Sequence, residues 1–184
     1  MTEERKSSVL DKIEERFGEA ILETHSFRGD DTVVVERDRL LELLDFLRND
    51  PDMSFEFLMD LTAVDYLGRK SPRFEVVYHL YSFSKNQRLR VKTGVPEEDP
   101  EVDSATVIWK GANWFEREVY DMFGIKFRGH PDLRRILLYE GFEGHPLRKD
   151  YPLDKRQPTV PTDEFPDPEK DVKKHIDEWK GREG

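Results

Sequence analysis

The chain has 184 residues, room for one core-bearing domain with an extension. Charged residues make up 38% and hydrophobic ones 36%, with a mean hydropathy of -0.80, yet 12 Phe, 6 Tyr and 3 Trp supply enough apolar mass to exclude disorder throughout. The absence of cysteine excludes disulfides, Cys-ligated iron–sulfur clusters, thiolate zinc and a Cys nucleophile, and a formal charge of -10 excludes nucleic acid as the main partner, because counterion release needs a concentrated basic surface.

No apolar run approaches the ~18 residues of a membrane span. Met1-Thr2-Glu3-Glu4-Arg5 also lacks the apolar stretch of a secretion signal, so the chain is expected to be soluble and cytoplasmic. Val9, Leu10, Ile13 and Phe17 fall on one helical face, with Ser7 or Ser8 as N-cap and Gly18 as stop. The β-branched run Thr32-Val33-Val34-Val35 predicts a strand. Asp38 is placed to cap a helix whose Leu40, Leu43, Leu44 and Leu47 form a stripe ended by Asp50-Pro51.

From Phe55 the period changes to two. Phe55, Phe57, Met59, Leu61 and Ala63 are expected on one face of a strand, with Glu56, Asp60 and Thr62 on the other. Two further strands, alternating around Phe74, Val76, Tyr78, Leu80 and around Leu89, Val91, Thr93, flank a turn at Ser84-Lys85-Asn86. Short connections favour antiparallel pairing. The fold class is therefore α+β, a mainly antiparallel sheet with helices on one face, followed by an extended Pro-rich C-terminal arm.

After an acidic loop over 96–101, a helix is predicted for 113–123. Phe115, Val119 and Met122 form its packing face, Arg117 and Asp121 have the spacing of an exposed ion pair, and Gly124 stops it. Beyond Gly124 lie 7 of the 11 prolines, too many for another regular domain. The expected division is a core domain of residues 1–123, a motif-bearing docking arm over 124–154, and a tail over 155–184 with a short helical pattern at 167–179. Only residues 124–151 have a basic excess, 6 groups against 4 acidic ones.

Three constellations invite a chemical reading. Glu118 and Asp121, three apart, have the spacing of metal ligands or an acid/base pair, the plainer reading being a charged helix face satisfied by Arg117 and neighbours. His130 and His145 each stand between Gly and Pro, but a metal site needs at least three convergent ligands, so turn formation is the preferred role. Each Gly-His-Pro is soon followed by a basic pair, Arg134-Arg135 and Arg148-Lys149, which suits anion binding and equally a solvated face. No serine triad, phosphate loop or nucleophile elbow is present.

The order Glu116-Arg117-Glu118, two residues, Asp121, two apolar residues, six more, His130, three more and Arg134, continued through His145 to Tyr151, resembles the thirty-kilodalton subunit family of the proton-translocating NADH:quinone oxidoreductase, respiratory complex I. The likeness is dense over 112–153 and upstream is one of element order. It departs at 139–143, where relatives often carry an acidic residue followed by an aromatic one.

The resemblance implies a structural subunit of the peripheral arm with no cofactor, metal or catalytic centre of its own. Flavin, iron–sulfur clusters and quinone would belong to partner subunits. The arm would lie along the hydrogenase-like quinone-site subunit and brace the terminal-cluster subunit, among other peripheral-arm subunits. It would meet them through Glu116, Arg117, Glu118, Asp121, His130, Arg134, Arg135, His145, Arg148, Lys149 and Tyr151. The complex would place the chain peripherally on the cytoplasmic face of a bacterial plasma membrane. Alternatives are the equivalent subunit of a ferredoxin- or F420-linked dehydrogenase or membrane-bound hydrogenase, and, in another class, an independent metal-dependent hydrolase built on Glu118, Asp121 and the histidines.

Overall fold

Residues 8–158 are described by a computed structural model, and the period-two segments form its centre. Strand β4 (Phe74–Ser82) turns Phe74, Val76, Tyr78 and Leu80 into the core and pairs antiparallel with β5 (Gln87–Val95). In the turn between them Asn86 takes a φ of 51°, a backbone region that Asn tolerates better than most residues.

On the other side of β4 lies β3 (Phe57–Asp65), also antiparallel, whose register departs from the expected alternation. Leu61 and Ala63 are buried as expected, but a bulge between Leu58 and Asp60 puts Leu58 inside and leaves Phe57 and Met59 exposed. One extra residue in a strand moves everything before it to the opposite face. Phe55 is buried from the loop ahead of the strand.

The valine-rich β2 (Asp30–Val35) runs parallel to β5 and antiparallel to β1 (Ile21–Phe27), giving the order β1-β2-β5-β4-β3. The sheet is thus mixed and mostly antiparallel. β1 has no counterpart in the sequence reading, since an edge strand carrying Glu23, Thr24 and His25 shows no apolar face.

Helices α1 (Ser8–Phe17) and α2 (Leu40–Asn49) bury their predicted stripes in one cluster with the inner face of the sheet. Each fully buried aliphatic side chain there contributes about 1.5–3 kcal/mol. Asp38 does not cap α2, because it lies inside a 3-10 turn, Arg37–Arg39, that precedes the helix. Ser7 and the helical pattern at 167–179 lie outside the described residues.

Helix α3 (Ala112–Phe123) packs on β3 and ends where Gly124, at φ 75°, takes the left-handed conformation and donates its N–H to the Tyr120 carbonyl. Beyond it β7 (Lys126–Arg128) pairs parallel with β6 (Glu101–Asp103), and Ile125 and Phe127 are buried. The apolar core therefore continues a few residues past Gly124.

Candidate subunit interface

Helix α3 turns three of its four charged residues away from water, leaving only Glu118 exposed. Glu116 and Asp121 have 0% of their surface exposed and Arg117 only 9%. The strap formed by residues 129–151, which the turn at Gly124 sends back over the helix, covers Arg117 and Asp121, whereas Glu116 turns toward Ser104 and Ala105.

The first half of the strap is held by α3 side chains. Asp121 Oδ2 accepts the consecutive N–H groups of Ile136, Leu137 and Leu138 at 3.1, 2.9 and 2.9 Å, and its Oδ1 accepts from Arg135 Nη1 at 2.7 Å. Burial works to raise this carboxyl, but the bonds from Leu138, Leu137, Ile136 and Arg135 hold it below the usual carboxylate range. Arg117 donates to the carbonyls of Arg134 and Arg135 at 3.1 and 3.0 Å. The expected Arg117–Asp121 pair is not formed, because each group is committed to the strap backbone.

The second half caps the end of α3. A helix leaves its last four carbonyls without internal partners. Here Tyr120 O accepts from Gly124 N–H, Asp121 O from His145 Nδ1 at 2.9 Å, Met122 O from Leu147 N–H at 3.1 Å, and Phe123 O from Arg148 Nε at 2.6 Å. Placing a guanidinium at this end also suits the helix dipole. Burial keeps the His145 imidazole below its ordinary range, so it serves as a neutral donor. His130 plays a similar part at the other end, donating from Nε2 to Asn113 O and accepting the Asp132 N–H at Nδ1. Both Gly-His-Pro turns therefore clasp the same helix.

A third attachment, missed by the sequence reading, lies at the end of β3. Asp65 holds Arg73 in a two-bond fork, accepts the N–H of Lys149 at 2.8 Å, and is drawn down to about 2 by Arg73, Lys149 and Leu67 against the cost of burial. Arg73, 7% exposed, also pairs with Glu97 and with Asp150. One signal is present in the sequence: Asp65 continues the inward parity of Leu61 and Ala63, where an acid demands a partner. Asp150, between Lys149 and Tyr151 in the motif, carries no comparable signal.

The remaining predicted residues divide sharply. Glu118 is exposed, so it does not join buried Asp121 in an acid pair. Among the described residues no group of three His, Cys, Asp or Glu is arranged to hold a metal. Arg134 is largely exposed and paired with Asp132, whereas its neighbour Arg135 is turned inward. Lys149 is exposed, and Tyr151 stacks on Phe142 at 6.1 Å. Leu137 and Leu147 stand exposed along the strap and Leu153 just beyond it, and Trp114 is exposed on α3. Among the described residues no helix is long and apolar enough to cross a membrane.

An α+β domain that clamps its own C-terminal strap and offers a leucine-studded surface has the build of an assembly subunit. The family profile for "Respiratory-chain NADH dehydrogenase, 30 Kd subunit" matches residues 33–157. The chain belongs to this family, whose members are components of an NADH:quinone oxidoreductase.

Among its relatives, the NADH-quinone oxidoreductase C subunit of Geobacter metallireducens is 50% identical over 142 residues, covering 77% of this chain and 86% of the relative. The same subunit of Roseiflexus sp. (strain RS-1) is 53% identical over 147 residues, covering 80% and 84%. A solved trypsin-resistant fragment (1-134) of Nqo5 matches with a TM-score of 0.59 at 37% identity, covering 68% of this chain and 98% of the fragment. A chain of an archaeal membrane-bound sulfane sulfur reductase complex matches with a TM-score of 0.67 at 25% identity, covering 79% and 84%.

Proposed function

We propose that this chain is a structural subunit of the peripheral arm that docks its strap on the hydrogenase-like quinone-site subunit and braces the subunit holding the terminal iron–sulfur cluster. The observation that carries this is the strap itself. Its backbone is tied down by buried Asp121, Arg117 and Asp65 while Leu137 and Leu147 point away from the domain, 63% and 50% exposed. Exposed apolar strips on a rigid support mark interaction sites. Flavin, clusters and quinone reside in the partners, and this chain's contribution is geometry, since electron delivery to quinone depends on fixed positions. Assembly into the complex places the chain on the cytoplasmic face of the membrane.

Within this reading Arg134, Glu118 and Lys149 make direct contacts with partners. Arg117, Asp121, His130, Arg135, His145, Arg148 and Tyr151 act by shaping the strap, while Glu116 holds the Ser104–Ala105 segment ahead of α3. The match to the sulfane sulfur reductase complex supports a second reading, the equivalent place in another respiratory membrane complex. Relatives about 50% identical over most of the chain favour the NADH-linked one.

The test is Leu137→Asp with Leu147→Asp in the full set of subunits. The free chain should keep its unfolding midpoint, because both side chains are already in water, while the purified complex loses this subunit and its quinone reductase activity. Normal incorporation and activity would overturn the reading.

A further inference from the structure

Glu116 lies in the core with no cation paired to it among the described residues. Its Oε1 accepts the Ala105 N–H and its Oε2 the Ser104 hydroxyl, each at 2.6 Å. The charged and titratable groups around it are committed elsewhere or share its burial. Arg117 on α3 serves the strap carbonyls, Asp121 on α3 is taken by Arg135, and Asp103 on β6 is paired with Arg128 on β7. On β4 the Tyr78 hydroxyl is fully buried and has no hydrogen-bond partner among the described residues. Burial, Glu116 and Asp103 all oppose ionisation of that phenol, so it stays neutral.

Two neutral donors do not offset removing a carboxylate from water, which favours the neutral acid. Burial pushes Glu116 up to about 7 against the pull of Ser104 and Ala105. The site also has a path to solvent. Ser104 Oγ is 2.7 Å from Thr106 Oγ1, and Thr106 is partly exposed.

We propose that Glu116 is a proton-binding site, loaded and emptied through the Ser104–Thr106 hydroxyl pair. In the empty state the Thr106 O–H donates to Ser104 Oγ and the Ser104 O–H donates to Oε2. On loading, Thr106 Oγ1 takes a proton from a solvent hydronium as its own passes to Ser104, and the Ser104 proton passes to Oε2. The acid then donates to Ser104 and Ser104 donates to Thr106. At each hydroxyl one O–H bond breaks and one forms, and a water is left in solvent. Ser104 Oγ accepts the Thr106 N–H, at 3.2 Å, in both states, so its hydrogen-bonding capacity is not exceeded. The bound ligand is a single proton, and loading removes an uncompensated charge from the core. This inference stands apart from the docking role and would survive its failure.

The experiment is a pH titration by NMR of the full-length chain with carbon-13 in the glutamate carboxyls. One resonance, absent in Glu116→Gln, should titrate near neutral pH. Ser104→Ala should raise its midpoint, since the ionised form loses a donor. Thr106→Val should leave the midpoint in place and slow exchange of the acid proton by about 100-fold, the low end of what a positioned proton-transfer group contributes. If Glu116→Gln does not fold, the Ser104→Ala shift assigns the resonance, and Thr106→Val alters only a partly exposed hydroxyl. A midpoint in the ordinary glutamate range, or unchanged proton exchange in Thr106→Val, overturns the proposal.

Discussion

Arg73 and Asp150, 77 residues apart in the sequence, are joined by a 2.7 Å bond from Nη2 to Oδ1. The same guanidinium forks onto Asp65 at 3.0 and 2.8 Å and reaches Glu97. One buried cation thus ties the end of β3, the loop after β5 and the end of the strap into a single unit. A planar fork fits this task, and an ammonium would not reproduce it.

Arg73→Gln should therefore leave Asp65 buried and unpaired, at a cost of about 3 to 5 kcal/mol. The readouts are the urea midpoint and amide exchange at 148–151. Arg73→Lys should recover only part of the loss. Asp65 is held at about 2 against 3.8 when unfolded, so its contribution of about 2 kcal/mol is full above 3.8 and lost as pH falls toward 2. The Gln variant should lack that acid-side slope. An unchanged midpoint would refute the buried linkage.

Gly124→Ala tests the clasp at the end of α3. The residue stands at φ 75°, and a Cβ there would lie 2.5 Å from His145 Nε2 and 2.8 Å from Arg148 Nη2. Backbone strain and the displaced caps together should cost about 1 to 3 kcal/mol. Exchange at 145–151 should rise before the β4 and β5 amides respond, and a variant with wild-type stability and protection would show that the clasp is not formed.

Asp121→Asn keeps the shape of the side chain and removes its charge. An amide has one oxygen to meet three N–H groups and Arg135, so part of the strap backbone is left unpaired. Each buried unsatisfied donor costs about 1–3 kcal/mol. Amides 136–138 should lose protection selectively, and the complex should assemble poorly even though the sheet remains folded. Retained protection at these three amides would count against the carboxylate as the strap's anchor.

How much of this was legible in the sequence depends on the range of the interaction. β4 and β5 were readable because an uninterrupted period of two marks one buried face, and the leucine stripe of α2 because a period of 3.6 does the same. The front of β3 was not, since a bulge leaves no trace in residue type. The charges of α3 read as a solvated face because spacing on a helix cannot show that residues 129–151 fold back over it. Arg73 with Asp150 leaves no local pattern at all. Gly124, by contrast, was legible as a stop, though not as the point where His145 and Arg148 press against the helix end.

Glu116 contributes a pH dependence of definite sign on the neutral side. Its folded value of about 7 lies above the ordinary 4.5, so between these values the folded state keeps a proton that the unfolded chain has released. Stability from this group is full below 4.5, declines as pH rises, and is gone above about 7, a loss of about 3 kcal/mol. Asp65 acts in the opposite direction between about 2 and 3.8, and His145 and His79, lowered by burial, oppose Glu116 as pH rises toward 6.5, so the contribution of Glu116 is read as the difference between wild type and Glu116→Gln. Gln in place of Glu116 can accept the Ala105 N–H and donate to Ser104 as the neutral acid does, at every pH. Urea unfolding of the full chain at a series of pH values from 4.5 to 8 should show the wild-type midpoint falling relative to that of Glu116→Gln, the two curves diverging most above 7. Parallel curves across that range would mean that Glu116 is ionised in the folded protein throughout.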